Sequence, residues 1–183
     1  MSADAVVDAP ADARSRARKV RLALFDVDGV LTDGRLYYGP AGEALKVFHI
    51  LDGHGLRMLA RTGVATGLLS GRLSEAAAAR ARELGMAHVM LGVQDKLACF
   101  DELIQRMGLD AEQCAFLGDD LPDLPVLARC GFAVAVANAV PEVKASAHLV
   151  TQLAGGCGAA REFCDFVMRA QGTLDGAASR HLA

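Results

Sequence analysis

Short runs of uninterrupted apolar residues alternate along the chain with longer stretches whose apolar positions recur every three or four residues. The runs at 20–25, 64–69, 88–91, 114–117, 132–136 and 148–150 predict strands buried on both faces. The stretches at 53–62, 73–84, 96–107, 121–130 and 158–171 predict helices. In the third of these, Leu97, Phe100, Leu103, Ile104 and Met107 fall on one face. Strands alternating with helices predict the α/β class, a Rossmann-like parallel sheet with helices on both faces. One insertion breaks the alternation. Residues 35–48 read as a β-hairpin, with Arg35 to Tyr38 and Glu43 to Phe48 flanking a Gly39-Pro40-Ala41-Gly42 turn. An isolated two-stranded ribbon is marginal in water, so this hairpin packs either on its own domain or on another subunit.

Composition narrows the picture. The 183 residues suit one domain, expected over 20–172 between a flexible N-terminal tail at 1–19 and a C-terminal tail at 173–183. The basic cluster Arg14, Arg16, Arg18, Lys19 and Arg21 reads as part of a solvated tail. A net charge of -3 gives no reason to expect a nucleic-acid partner. No apolar run has the roughly 20 residues of a membrane span, and the N-terminus, with Asp4 and Asp8, lacks the apolar core of a signal peptide. The five cysteines form no CxxC pair, and four lie in apolar patterns, which suits a reduced, cytoplasmic protein.

The chemistry sits at the ends of the predicted strands. Asp26 and Asp28 follow the run Val20 to Phe25, and ligands of open parallel sheets bind beyond the carboxyl ends of the strands. Two acids there suit a hard cation such as Mg²⁺, and a carboxylate can also act as a nucleophile. Aspartate is also common in ordinary turns. Ser70 and Gly71 end the second apolar run, where Ser70 could cap the next helix or its neighbourhood could bind an anion. Lys96 opens a helix behind Asp95, and a cation at that end is disfavoured unless an anion faces it. Asp119, Asp120 and Asp123 follow the fourth run, and like charges so close need a cation or hydrogen-bond donors. Asp123 alternatively serves as the acid in the first turn of the next helix.

Carboxylates, a hydroxyl, a lysine and further carboxylates, in this order, resemble the haloacid dehalogenase-like phosphohydrolases over residues 20–172. The resemblance implies that Asp26 attacks phosphorus to form an aspartyl phosphate and that Asp28 is general acid and base. It also implies phosphate binding by Ser70 and Lys96. Mg²⁺ would be held by the Asp26 carboxylate, the Asp28 backbone carbonyl and Asp119, with Asp120 reaching it through water. The 44 positions from Asp26 to Ser70 and the 23 from Lys96 to Asp119 leave no room for a cap domain, since a domain takes ~50 residues or more. The site is then open, for a large substrate or for closure by a neighbouring subunit.

Phe25 to Gly34, the hairpin, Asp52-Gly53-His54-Gly55-Leu56-Arg57, Gly118 to Asp123 and Gly155 to Glu162 together resemble one branch, the 3-deoxy-D-manno-octulosonate 8-phosphate phosphatases of lipopolysaccharide synthesis. That branch implies a homotetramer whose hairpins associate and whose C-terminal segment reaches a neighbour's site. It also implies sugar-phosphate contacts at Asp28, His49, Ile50, Leu51, Asp52, Gly53, Arg57, Gly71, Arg72, Arg80 and Lys96. Leu51 and Cys157 stand where many members carry arginine. The rival readings are a phosphatase for another keto-acid sugar phosphate, of the nonulosonate 9-phosphate type, and a non-catalytic sugar-phosphate-binding protein.

Overall fold

The computed structural model describes residues 11–40 and 42–179. The outer parts of both expected tails, and Ala41 in the hairpin turn, lie outside the described residues. Six parallel strands form the main sheet: β1 (Leu22–Phe25), β4 (Ala65–Ser70), β5 (His88–Leu91), β6 (Cys114–Gly118), β7 (Phe132–Ala135) and β8 (Leu149–Val150), in the order β5-β4-β1-β6-β7-β8. The hairpin strands β2 (Tyr37–Gly39) and β3 (Gly42–Leu45) form a separate antiparallel pair, shorter than the pattern suggests.

Every residue of β1, β6 and β7 is buried, as continuous apolar runs require of strands covered on two sides. The register pairs Leu24 with Phe116, so Phe25 and Phe116 point to opposite faces. On the Phe25 face, helix α7 (Ala159–Ala170) sets Phe163 edge-on to Phe25 at 5.4 Å. On the Phe116 face, helix α4 (Lys96–Met107) brings the Lys96 ammonium to 5.9 Å from the ring. Helices α1 (Ala11–Arg18) and α2 (Ile50–Arg61) pack on α7, while α5 (Leu124–Arg129) packs against α4 and α6 (Pro141–Ser146). Helix α3 (Glu75–Leu84) lies beside α2 and β5.

Both tail expectations need correction. Residues 11–18 form α1, whose Ala13 and Ala17 are fully buried, and Arg16 donates to the Gly131 carbonyl at 2.8 Å. Gln171 fixes the end of this helix by donating to the carbonyls of Ala17 and Val20. At the other terminus, α8 (Leu174–Ser179) packs on α2 and α7. The helix expected at 121–130 is divided: a 3-10 turn spans Leu121–Asp123 before α5. Pro125 lacks the N–H that a continuous α-helix would donate to the Leu121 carbonyl.

The Gly155–Gly158 segment, whose glycines would allow the C-terminal segment to turn toward a neighbouring subunit, is seated in its own chain. Gly156 donates to the Val30 carbonyl at 2.9 Å, and Gly155 donates to Asn138 Oδ1 at 2.7 Å. Asn138 in turn donates to the Gly29 carbonyl. A Cβ on Gly155 would stand 1.8 Å from that carbonyl oxygen, so the close approach requires glycine. Glycine serves here to seat the turn on the Asp28-Gly29-Val30 loop.

Candidate active site

Strand β1 lies between β4 and β6: the chain runs from β1 outward through β4 to β5 on one side, then returns to β6 and continues outward on the other. That switch point opens a crevice at the strand ends. Asp26 follows β1 with its N–H on the Leu117 carbonyl at 3.0 Å, Ser70 is the last residue of β4, and Asp119 follows β6. Asp26, Asp28, Ser70, Gly71, Arg72, Lys96 and Asp119 line one cavity of about 290 Å³, with Asp120 and Asp123 in its wall. The residues expected to carry phosphate chemistry thus converge from four parts of the chain.

Lys96 is the buried cation of this cavity. Its ammonium lies 3.0 Å from Asp26 Oδ1 and 2.6 Å from Asp123 Oδ1. Burial works against its charge, but the two carboxylates outweigh it and hold the Lys96 pKa above the ordinary value. Asp95 Oδ1 accepts the Ala98 N–H at 3.0 Å and so starts α4 where the ammonium is needed. Ser70 does not cap α3. Ser74 does, accepting the Ala77 N–H, which leaves Ser70 in the cavity at the end of its strand.

Asp123 is an anchor that the sequence pattern undervalues. It is 1 % exposed, and its Oδ2 accepts the N–H of Asp119 at 2.9 Å and of Asp120 at 3.3 Å. Oxygens of Asp26, Asp119 and Asp123 all lie within 4.8 Å of one another. Those of Asp123 are already committed, one to Lys96 and one to two backbone donors. Asp119 Oδ1, by contrast, is buried with no hydrogen-bond partner, and Asp26 Oδ1 has only its ion pair with Lys96. A buried orphan carboxylate oxygen is costly unless a cation or donor meets it. The donor set therefore fits a hard cation between Asp26 and Asp119, where all available ligands are oxygen.

The electrostatics agree. Burial, then the Asp26 and Asp123 carboxylates, push the Asp119 pKa up to about 8. Burial and Asp123 raise Asp26 to about 6, with Lys96 acting in the opposite direction. An excess of buried negative charge remains after Lys96 is counted.

Two further residues reach the site from the hairpin, and the sequence pattern singles out neither. Lys46, whose side chain is 1 % exposed, pairs with Asp28 Oδ1 and lies 3.1 Å from Glu43 Oε2. Glu43 also accepts from Arg72 at 2.8 Å and from the Ser74 hydroxyl at 2.9 Å. Arg72 Nε lies 3.5 Å from Asp28 Oδ2. The hairpin is thereby tied to the α3 cap and to Asp28 by alternating charges.

The other expected sugar contacts sit apart from this cavity within one chain. Ile50 and Leu51, at the start of α2, are 79 % and 52 % exposed, beside half-buried His49. Arg80 pairs with Glu83 at 2.8 Å, and Arg57 donates to the Glu83 carbonyl. Arg80 and Ile50 line a second depression of about 570 Å³ with Lys46 and Phe48. Asp52 is committed elsewhere: buried beside Gly53 in α2, it accepts the N–H of Arg161 at 2.8 Å and of Gly158 at 3.3 Å.

The sheet order, the acids at its switch point and the buried lysine define a hydrolase class. The chain belongs to the haloacid dehalogenase-like hydrolase family, whose model matches residues 63–161. It is 43% identical, over 91% of its length and 89% of the relative's, to the 3-deoxy-D-manno-octulosonate 8-phosphate phosphatase KdsC of Yersinia pestis. A crystal structure of that phosphatase from Moraxella catarrhalis, with magnesium, phosphate and KDO, is 35% identical. It superposes with a TM-score of 0.90 over 93% of this chain and 98% of that one. The cobalt-bound phosphatase of Haemophilus influenzae is 39% identical, with a TM-score of 0.87 over 92% and 99% of the two chains.

Proposed function

We propose that this chain is a Mg²⁺-dependent phosphatase acting on 3-deoxy-D-manno-octulosonate 8-phosphate, in the cytoplasm, for lipopolysaccharide synthesis. The observation that carries the reading is the convergence of Asp26, Asp28, Ser70, Lys96 and Asp119 on one cavity, in a chain with relatives of that activity over nine-tenths of its length.

An Asp26 carboxylate oxygen attacks phosphorus, and the bond from phosphorus to the sugar oxygen breaks. Asp28 gives its proton to the departing alkoxide. It then takes a proton from the water that attacks the aspartyl phosphate, releasing inorganic phosphate and restoring Asp26. Lys96 and the Ser70 hydroxyl hold the phosphoryl oxygens, with Arg72 and the Gly71 backbone beside them. The cation would be held by Asp26, Asp119 and the Asp28 carbonyl, and would supply positive charge against the phosphoryl oxygens. Lys96, itself held by Asp123, pairs with Asp26 and fixes its carboxylate.

The sugar acid would extend from Lys46 into the depression lined by Ile50 and Arg80, whose guanidinium suits a carboxylate. Exposed Leu36, Tyr38, Leu45 and Val47 on the hairpin support a homotetramer in which hairpins associate and neighbouring subunits close the sites. His49, Leu51 and Arg57 then complete the sugar site from the exposed side of α2 and its cap, with buried Asp52 and Gly53 behind them.

Leu51 and Cys157 favour keeping one second reading, a phosphatase for a longer keto-acid sugar phosphate. Phosphate release across eight- and nine-carbon sugar-acid phosphates tests both. The highest kcat/KM is expected for the eight-carbon 8-phosphate. A preference for a nine-carbon 9-phosphate would overturn the assignment in favour of the second reading.

A further inference from the structure

We infer that Lys46 is a positioning residue for Asp28, so that the hairpin belongs to the catalytic apparatus of its own chain. The inference rests on the reading of Asp28 as general acid and base.

Lys46 lies just beyond β3, yet its side chain is almost fully withdrawn from solvent. A buried ammonium is costly unless carboxylates surround it, and Asp28 and Glu43 do so. Asp28 sits in the wall of the phosphate cavity, whereas Lys46 lines the larger depression beyond it. Their ion pair therefore marks the junction of the two. An acid that protonates a leaving oxygen must stand there, between the phosphoryl group and the rest of the substrate. Asp28 has no side-chain hydrogen bond from its own loop among the described residues; its side-chain partners there are Lys46 and Arg72. Arg72 Nε is the looser partner at 3.5 Å, and Arg72 is itself held by Glu43. The orientation of the Asp28 carboxyl is thus set by a lysine supplied from the hairpin. Glu43 fixes that lysine and joins it to the Ser74 cap of α3.

The role predicts a dependence on the leaving group that a merely structural lysine would not show. An alkyl sugar phosphate needs its leaving oxygen protonated, whereas p-nitrophenyl phosphate does not. Lys46→Met and Lys46→Arg are to be compared with wild type on both substrates at saturating Mg²⁺, with kcat and KM measured separately. Lys46→Met is expected to lower kcat for the sugar phosphate at least about tenfold more than for p-nitrophenyl phosphate, within the range attributed to general acid catalysis. Lys46→Arg is expected to recover part of that difference. In the Asp28→Asn background, Lys46→Met is expected to add little, because both changes act through one group. Equal kcat losses on the two substrates, or a change confined to KM, would overturn the inference. If Asp28→Asn alone shows no leaving-group dependence, the acid-base reading itself fails. If only the lysine variants lack it, the inference fails and that reading stands. Should Lys46→Met fold poorly, Lys46→Arg decides the matter: a kcat loss larger for the sugar phosphate than for p-nitrophenyl phosphate supports positioning, and the absence of that excess loss contradicts it.

Discussion

The Asp119 carboxylate lies directly against the Cα of Gly29: a Cβ on Gly29 would stand 2.0 Å from Asp119 Oδ2. Gly29 also has φ +88°, a conformation that favours glycine. The loop carrying Asp28 and the loop carrying Asp119 thus interlock at a position with no space for a side chain. Gly29→Ala should displace Asp119, weaken Mg²⁺ binding and cut phosphate release by about 100-fold or more, as a misplacement of roughly 1 Å in an active site can do. Activity titrated against Mg²⁺ checks this.

Asp123 binds two backbone N–H groups and the Lys96 ammonium at once. Asp123→Ala should leave Lys96 with one carboxylate and the Asp119 N–H unpaired. Removing one member of a buried ion pair costs about 3–5 kcal/mol. A lower Tm together with a lower kcat is expected, and thermal melts with and without Mg²⁺ measure the first part.

The raised pKa values of Asp26, about 6, and Asp119, about 8, have a definite consequence for the metal-free protein. The folded state keeps protons that the unfolded chain has already released. Their favourable contribution is fully present below the ordinary value of 3.8 and is lost as pH rises through about 6 and then about 8. In EDTA, Asp119→Asn should therefore gain on wild type in Tm as pH increases from about 5 to about 8.5, since the amide has no charge to bury. Added Mg²⁺ should stabilise wild type most at the alkaline end and Asp119→Asn little. A constant Tm difference across that range would contradict the buried-charge account.

Asp52 joins α2 to the start of α7 through the N–H groups of Gly158 and Arg161. Asp52→Ala leaves both donors unpaired and should destabilise the fold by about 1–3 kcal/mol. Urea unfolding checks this. If Asp52 also contacts the sugar, KM for the sugar phosphate should rise more than KM for p-nitrophenyl phosphate.

Where apolar runs are continuous, the fold is legible in the sequence itself. Buried β1, β6 and β7 follow such runs, and α4 matches its pattern from Lys96 to Met107. Helix α1 carries only two small buried residues, Ala13 and Ala17, among charged ones. It therefore leaves no apolar period, and its stability comes from packing on α7. Helix α6 buries only Val143. In the site, the strand-end acids are readable because each follows a strand directly. Asp123 and Lys46 are not, because their roles depend on partners 27 and 18 residues away. The Asp119-Asp120-x-Pro-Asp123 spacing is the available sign for Asp123, since an acid four positions on can turn back to the Asp119 N–H.

The most direct test of the central claim is phosphate release by Asp26→Asn at saturating Mg²⁺, with the sugar-acid phosphate and with p-nitrophenyl phosphate. The amide keeps the shape of the carboxylate but cannot attack phosphorus as an anion. The account predicts loss of turnover on both substrates in a folded protein with a thermal melt close to wild type. Turnover like wild type on either substrate would contradict it.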